Sequence, residues 1–218
     1  MRRRLLIIIA TAICCLGYAQ DKMNYPEGIY MSLEEVKSKT PSVDATLNWE
    51  KRSQGDIKMW GGNDYELKCD DKSIKKKTIK KEIYAYSDGE YLFINGFKFD
   101  LGQGYAVVES IGKFLVFKAS ISNDRAQQEM QMGWMFGGVV GGIQGAYLAT
   151  LRFPYIVDVE TGKFICVNEE FLTSLLAGYE DLLKEFRAED DKNCDVIIKY
   201  LNLLNDQQEL ENWCRIAL

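Results

Sequence analysis

Short apolar runs separated by glycine-containing turns fill residues 47–120, and this pattern limits the possible folds more than any other feature. The predicted turns are Gly61-Gly62-Asn63, Ser87-Asp88-Gly89, Asn95-Gly96 and Ile111-Gly112-Lys113. The predicted strands that flank them are 56–60, 64–69, 83–86, 90–94, 97–100, 105–110 and 114–119. Asn and Gly accept the positive φ angles of tight turns, so this regular alternation predicts an antiparallel β-meander.

Helical patterns lie on both sides of the meander. Ser32 followed by Glu35 forms a capping box, which predicts a short helix that begins at Leu33 and ends before Pro41. A further hairpin is predicted from strands at 155–159 and 163–167.

The C-terminal quarter has the three-and-four spacing of amphipathic helices. Apolar residues between Phe171 and Phe186 follow this spacing, with a break predicted near Gly178. Asp191 or Asn193 is expected to cap another helix. That helix would carry the apolar residues Val196, Ile197, Tyr200, Leu201 and Leu204.

Together these patterns predict an α+β fold: an antiparallel β-meander or sheet with an embedded glycine-rich helical segment and a C-terminal helical region. One domain is expected over residues 20–218. Its parts are a β-rich region at 42–121, the glycine-rich segment at 132–151, a hairpin at 153–167 and C-terminal helices at 168–218.

Residues 1–19 have the pattern of a signal peptide. Three arginines precede an apolar stretch, and Gly17 and Ala19 place small residues at the −3 and −1 positions of a cleavage site. The apolar stretch is shorter than the about 20 residues that cross a bilayer. We therefore expect export to the periplasm or beyond the cell, with association to the envelope left open.

The composition argues against several functions. Removal of the three signal arginines leaves 24 basic and 32 acidic residues, a net charge of −8, which disfavours nucleic acid as a partner. The chain contains no histidine, so the usual nucleophile–histidine pairs and histidine-ligated zinc are excluded. We expect a non-enzymatic protein with no cofactor, no catalytic residue and no metal site. The alternative is a carboxylate-based hydrolase that would use Asp158 and Glu160 as its catalytic pair. This alternative is minor because the two residues fit a turn better.

Four cysteines follow the predicted signal peptide: Cys69, Cys166, Cys194 and Cys214. In an oxidising compartment they allow three complete pairings. A disulfide between Cys194 and Cys214 is slightly favoured because both lie in the predicted helical region. Buried free thiols are an equal alternative.

Residues 133–151 contain no charged residue and repeat small side chains at helical spacing. A helix here would be about 28 Å long, close to the thickness of a bilayer core. We expect it to pack inside the domain, because glycine disfavours isolated helices and no positive-inside bias flanks the segment. Insertion in a membrane and self-association are the alternatives, and both would use the small residues Gly133, Gly137, Gly138, Gly141, Gly142, Gly145 and Ala149.

Two surface features suggest binding. Residues 68–81 hold seven lysines, which could contact anionic lipid head groups or an acidic polysaccharide, or could solubilise a loop and an edge strand. The second feature is a set of aromatic residues that could line a sugar- or peptide-binding face: Trp49, Trp60, Tyr84, Tyr86, Tyr91 and Phe93. Alternation along a strand predicts that half of them lie in the core instead.

The segments "YPEGIYMSLEEVKSKTPS", "IYAYSDGEYLFING" and "RFPYIVDVETGKF" resemble an uncharacterised family of small exported bacterial proteins, a domain of unknown function. The resemblance implies export and an α+β fold, and it carries no catalytic residues. The leading hypothesis is an exported binding or structural module of the cell envelope with an unknown partner. The alternative is a membrane-associated protein that inserts or self-associates through residues 133–149.

Overall fold

The computed structural model describes residues 25–70, 73–122 and 147–216. For residues 209–216 it describes only the helical backbone. The predicted signal peptide and the glycines at 133–145 lie outside these ranges.

The described residues include nine strands, joined in one antiparallel sheet. They are β1 (Gly28–Tyr30), β2 (Asn48–Lys51), β3 (Tyr65–Lys68), β4 (Ala85–Ser87), β5 (Leu92–Asn95), β6 (Tyr105–Ile111), β7 (Phe114–Ala119), β8 (Phe153–Asp158) and β9 (Phe164–Cys166). The main path has the order β1-β4-β5-β6-β7-β8-β9, so β4 to β7 form an antiparallel meander, which the predicted hairpin of β8 and β9 continues. The hairpin of β2 and β3 joins this path where Tyr65 pairs with Tyr105 of β6.

Helices precede, interrupt and follow the strands. They are α1 (Leu33–Ser38), α2 (Gln54–Trp60), α3 (Lys76–Lys81), α4 (Glu169–Leu175), α5 (Glu180–Ala188) and α6 (Cys194–Ile216), with 3₁₀ turns at Gly96–Phe99 and Leu176–Gly178. The predicted α+β class with a C-terminal helical region is confirmed. The Ser32 cap is also observed: its hydroxyl oxygen accepts from the backbone N–H of Glu35 at 3.3 Å.

Two predicted strands are wrong, because side-chain caps start helical turns there. Residues 56–60 belong to α2, where the Ser53 hydroxyl accepts from the Asp56 N–H at 3.1 Å. Residues 97–100 lie in and just after a 3₁₀ turn, where Asn95 Oδ1 accepts from the Phe97 N–H at 3.1 Å. Both stretches are too short for hydrophobic spacing to separate helix from strand.

The central strands are buried on both faces. Leu92 and Ile94 of β5 face an inner core, which also receives Tyr30 of β1 and Phe117 of β7, whereas Phe93 faces a second core beneath the β2–β3 hairpin. Alternate residues of β7 and β8, such as Val116 and Ile156, pack against α4, α5 and α6 in a third core. Because side chains alternate across a strand, continuous apolar runs are the expected pattern for such a sheet.

Three asparagines are almost completely buried, and each fixes one peripheral segment to the sheet. Asn205 holds α6: its Oδ1 accepts from the Phe114 N–H at 3.2 Å, and its Nδ2 donates to the Phe114 carbonyl at 2.9 Å. Asn95 holds α3, since its Nδ2 donates to the carbonyls of Ile83 at 2.8 Å and Lys80 at 3.2 Å.

Asn63 joins three parts of the chain. Its Nδ2 donates to the Leu101 carbonyl at 3.1 Å, and its Oδ1 accepts from the Ser120 N–H at 2.9 Å. The contact with the next turn is so close that a Cβ atom on Gly96 would lie 2.0 Å from Asn63 Nδ2. Asn63 therefore acts as a buried bridge.

Replacement of Asn63 by alanine is expected to lower the free energy of unfolding by about 2–4 kcal/mol, because the buried Ser120 N–H would lose its partner. Denaturant unfolding monitored by circular dichroism would measure the change. Asn48→Ala is the control, since Asn48 is exposed and, among the residues that the structure describes, its side-chain amide bonds only the exposed Asp70 carboxylate at 2.6 Å. A loss below about 1 kcal/mol for Asn63→Ala, matching that control, would contradict the bridging role.

Candidate functional site

An open groove lies between the β2–β3 hairpin and α3. It consists of two adjoining cavities of about 490 and 550 Å³, which share the residues Glu66, Leu67, Lys68, Ile79 and Lys80. Ligand sites in proteins commonly have volumes of 300–1,000 Å³. The groove is therefore large enough for a small molecule or for a few units of a polymer.

The floor of the groove is apolar and firmly held. Leu67, Ile79 and Tyr105 are buried in the core beneath the hairpin. The Tyr105 hydroxyl donates to the Ile79 carbonyl of α3. Burial raises the pKa of Tyr105 above its ordinary value, so the phenol stays protonated and keeps this hydrogen bond at physiological pH. Together with Asn95, this contact fixes the position of α3.

The end of α2 adds an exposed tryptophan to the lining of the groove. Trp60 closes α2 and lines the groove, and 68% of its surface is exposed. The loop that follows it is fixed by Arg52, whose Nη1 donates to the carbonyls of Gly61 at 2.8 Å and Asn63 at 2.9 Å. Gly62 has φ = +87°, and a Cβ there would lie 2.2 Å from the Gln103 carbonyl oxygen. This wall is thus rigid beneath an accessible aromatic side chain.

Three of the four acidic residues that line the groove bond to a neighbouring side chain. Glu50 forms an ion pair with Lys68 at 2.5 Å, and Asp56 accepts from the Ser53 hydroxyl at 2.6 Å. Asp70 accepts from Asn48 Nδ2 at 2.6 Å. Hydrogen bonding to Glu50 raises the pKa of Lys68 above its ordinary value, which keeps this lysine charged.

Basic residues of the groove are less neutralised. Lys51 and Lys80 line the first cavity, and Lys75 and Lys76 line the second. Within the described ranges, none of these four ammonium groups lies within 4.0 Å of a carboxylate oxygen. The groove therefore presents accessible positive charge beside an aromatic ring, which is suited to binding a polar ligand with negative charge.

The six aromatic residues that could line a binding face are divided by the structure between core and surface. Tyr86 and Phe93 are buried in the core beneath the hairpin, and Tyr84 packs against the inner core. Trp49 is 40% exposed and donates from Nε1 to Asp88 Oδ2 at 2.8 Å. Of this set, only Trp60 lines the groove.

The groove is not evident from the sequence. Its lysine-rich wall is helix α3, whereas the pattern at 68–81 suggested a loop and an edge strand. α3 holds a single buried residue, Ile79, and has no side-chain hydrogen bond at its N-cap, so neither apolar spacing nor capping marks it as a helix in the sequence. The distance between the hairpin and α3 depends on buried hydrogen bonds, which leave no periodic pattern in the sequence.

Asp158 and Glu160, the alternative catalytic pair, belong to a turn. Asp158 Oδ1 accepts from the backbone N–H groups of Glu160 at 3.0 Å and Thr161 at 2.7 Å. The described residues also contain no group of three Cys, Asp or Glu side chains placed to hold a metal ion.

The glycine-rich segment is described only at its end. Ala149 lies in the turn before β8, where its carbonyl accepts from Arg152 Nη1 at 3.1 Å. Gly133, Gly137, Gly138, Gly141, Gly142 and Gly145 lie outside the described residues, and the packing predicted for them stays a prediction. Among helices that the structure does describe, none is both long and apolar enough to span a bilayer.

The favoured disulfide between Cys194 and Cys214 does not fit the observed helix. Both residues belong to α6, in which Cys194 is the first residue. Twenty residues of helix separate their Cα atoms by about 30 Å, whereas a disulfide needs about 4–7 Å. Cys194 forms no disulfide with a described residue. It lines a different cavity, of about 580 Å³, together with Cys166, Arg152 and Lys192.

Cys194 is expected to react slowly with alkylating reagents. Burial raises the pKa of its thiol to about 12, so the reactive thiolate is scarce at neutral pH. Iodoacetamide labelling at pH 7.5, followed by peptide mass spectrometry, should show slow modification of Cys194 in the native protein and fast modification in urea. Equally fast labelling in both conditions would contradict the burial of this thiol.

A search of curated proteins and a search of solved structures each found no match. The model of a family of unknown function, DUF6563, matches residues 28–208, from β1 into α6. This range includes both walls of the groove and its floor. The chain therefore belongs to the DUF6563 family.

Proposed function

We propose that the protein is an exported, non-enzymatic binding module of the bacterial cell envelope and that the groove beside α3 is its ligand site. The observation that carries this proposal is the exposed indole of Trp60 at the rim of a cavity of about 490 Å³. An exposed tryptophan is costly in a free protein surface and is common in binding sites, where its large flat face gains contact area.

Binding without turnover fits the chemistry of the groove. The chain has no histidine to serve as a general base near neutral pH. Three groove carboxylates, on Glu50, Asp56 and Asp70, already bond to a neighbouring side chain. A hydrolase would need two acids facing each other across the substrate. Export is supported by the sequence pattern of residues 1–19.

Replacement of Trp60 by alanine is expected to weaken binding to envelope material by about tenfold or more, because the groove would lose its main aromatic contact. The exported protein would be co-sedimented with separated envelope fractions of the producing cell: cell-wall sacculi, surface polysaccharide and membrane vesicles. The matched control is Met59→Ala, since Met59 is 73% exposed on the same helix but is absent from the groove lining.

Circular dichroism should show that both variants retain the fold, since both side chains are largely exposed. Equal binding by the wild type and Trp60→Ala in every fraction would contradict the groove as the ligand site. Equal losses for Trp60→Ala and Met59→Ala would contradict it as well.

The second candidate is membrane association through residues 133–149, which the uncharged small-residue spacing of that segment favours. It predicts that the protein stays in the pellet when envelopes are extracted with alkaline carbonate. The binding-module proposal predicts release into the soluble fraction.

A further inference from the structure

We infer that the ligand of the groove is an anionic polysaccharide, whose carboxylates meet the lysines of α3 while a sugar ring lies against Trp60. This inference rests on the proposed function and names the class of ligand.

Positive charge is concentrated on α3 although the chain as a whole is acidic, with a net charge of −5. Five exposed lysines occupy the helix and the residue before it: Lys75, Lys76, Lys77, Lys80 and Lys81. Like charges so close together repel one another, and a bound polyanion would relieve that repulsion. The concentration of lysine therefore favours an anionic ligand.

The structure removes one alternative reason for these lysines, the protection of a strand edge. On an edge strand they would discourage unwanted strand pairing. Residues 76–81 form a helix, which has no open edge of backbone hydrogen-bonding groups. Protection of a sheet edge therefore does not explain the charge.

The placement of the lysines favours a polymer over a bilayer. Lys51, Lys75, Lys76 and Lys80 line a concave groove, and a flat membrane surface would not reach its floor. The two cavities adjoin at Lys68 and Lys80; the first also extends to Trp60, and the second extends to Lys75. An extended chain with regularly spaced charges can occupy both cavities at once.

Trp60 adds a reason for a sugar. Trp60 and Lys80 both line the first cavity. The C–H faces of a pyranose ring pack well on a flat aromatic surface, and the ring carboxylate projects from its edge. A uronic acid unit would thus satisfy both walls of the groove. Glu66 is the fourth acidic residue of the lining, and its negative charge is partly offset by the neighbouring Lys68.

The test uses oligogalacturonate as the anionic probe and its fully methyl-esterified form as the uncharged counterpart, in isothermal titration calorimetry with the exported protein. We expect binding of the free acid, with affinity that falls as salt is raised from about 50 to 300 mM, and at least about tenfold weaker binding of the ester. The double variant Lys76→Glu/Lys80→Glu should bind the free acid at least about tenfold more weakly.

The control is Lys163→Glu/Lys184→Glu, which makes the same change of charge at exposed positions outside the groove lining. It should alter the affinity by less than about twofold at 150 mM salt, because the charges are screened over such distances. Lys76→Gln/Lys80→Gln, which introduces no new charge, serves as a second groove variant and should also weaken binding.

Equal affinity for the free acid and the ester would overturn the inference, and so would equal losses in the groove and control variants. Binding to phosphatidylglycerol vesicles that depends on Lys76 and Lys80, without binding of oligogalacturonate, would overturn it in favour of lipid head groups. If Trp60→Ala still abolished binding to an envelope fraction in these cases, the proposed function would stand and only the class of ligand would be wrong.

Discussion

Hydrogen bonds from three buried asparagine side chains hold the peripheral segments of this protein on its sheet. Burial of an amide without partners costs free energy, so each of these side chains is satisfied by the backbone of another segment. Asn95 connects β5 to α3, and Asn205 connects α6 to the start of β7. Asn63 connects the loop after α2 to the segment before β6 and to the end of β7. The two walls of the groove depend on Asn63 and Asn95, which makes the site a consequence of these bonds.

The groove combines firmly held backbone segments with charged and aromatic side chains that are accessible to solvent. The Tyr105 hydroxyl and the Asn95 amide fix α3 from below, and Arg52 fixes the loop that follows Trp60. The side chains of Lys80 and Trp60, in contrast, extend into solvent. A site built in this way needs little reorganisation of its backbone when a ligand binds, which limits the entropic cost of binding.

Sequence patterns predicted β4 to β7 as part of a meander and β8 and β9 as a further hairpin, because these strands alternate with clear turn residues. They failed at residues 56–60 and 97–100, where one capping side chain starts a helical turn. The role of two asparagines also differs from the prediction. The turn pattern predicts positive φ angles at Asn63 and Asn95, but neither residue has one, and both are buried and bond to distant backbone groups. Conformational propensity reflects a residue's neighbours in sequence, whereas these hydrogen bonds join residues up to 57 positions apart.

The sequence by itself determined the α+β class, the order of the meander strands, the cap of α1 and the helical character of the C-terminal region. Hydrophobic spacing and local capping encode these features within a few residues. Only the tertiary structure decided that Trp60 and the lysines of α3 line one groove, and that Cys194 and Cys214 are too far apart to pair within one helix. These spatial arrangements depend on contacts between segments that are distant in sequence. A single buried side-chain amide can determine the position of a whole helix through such a contact.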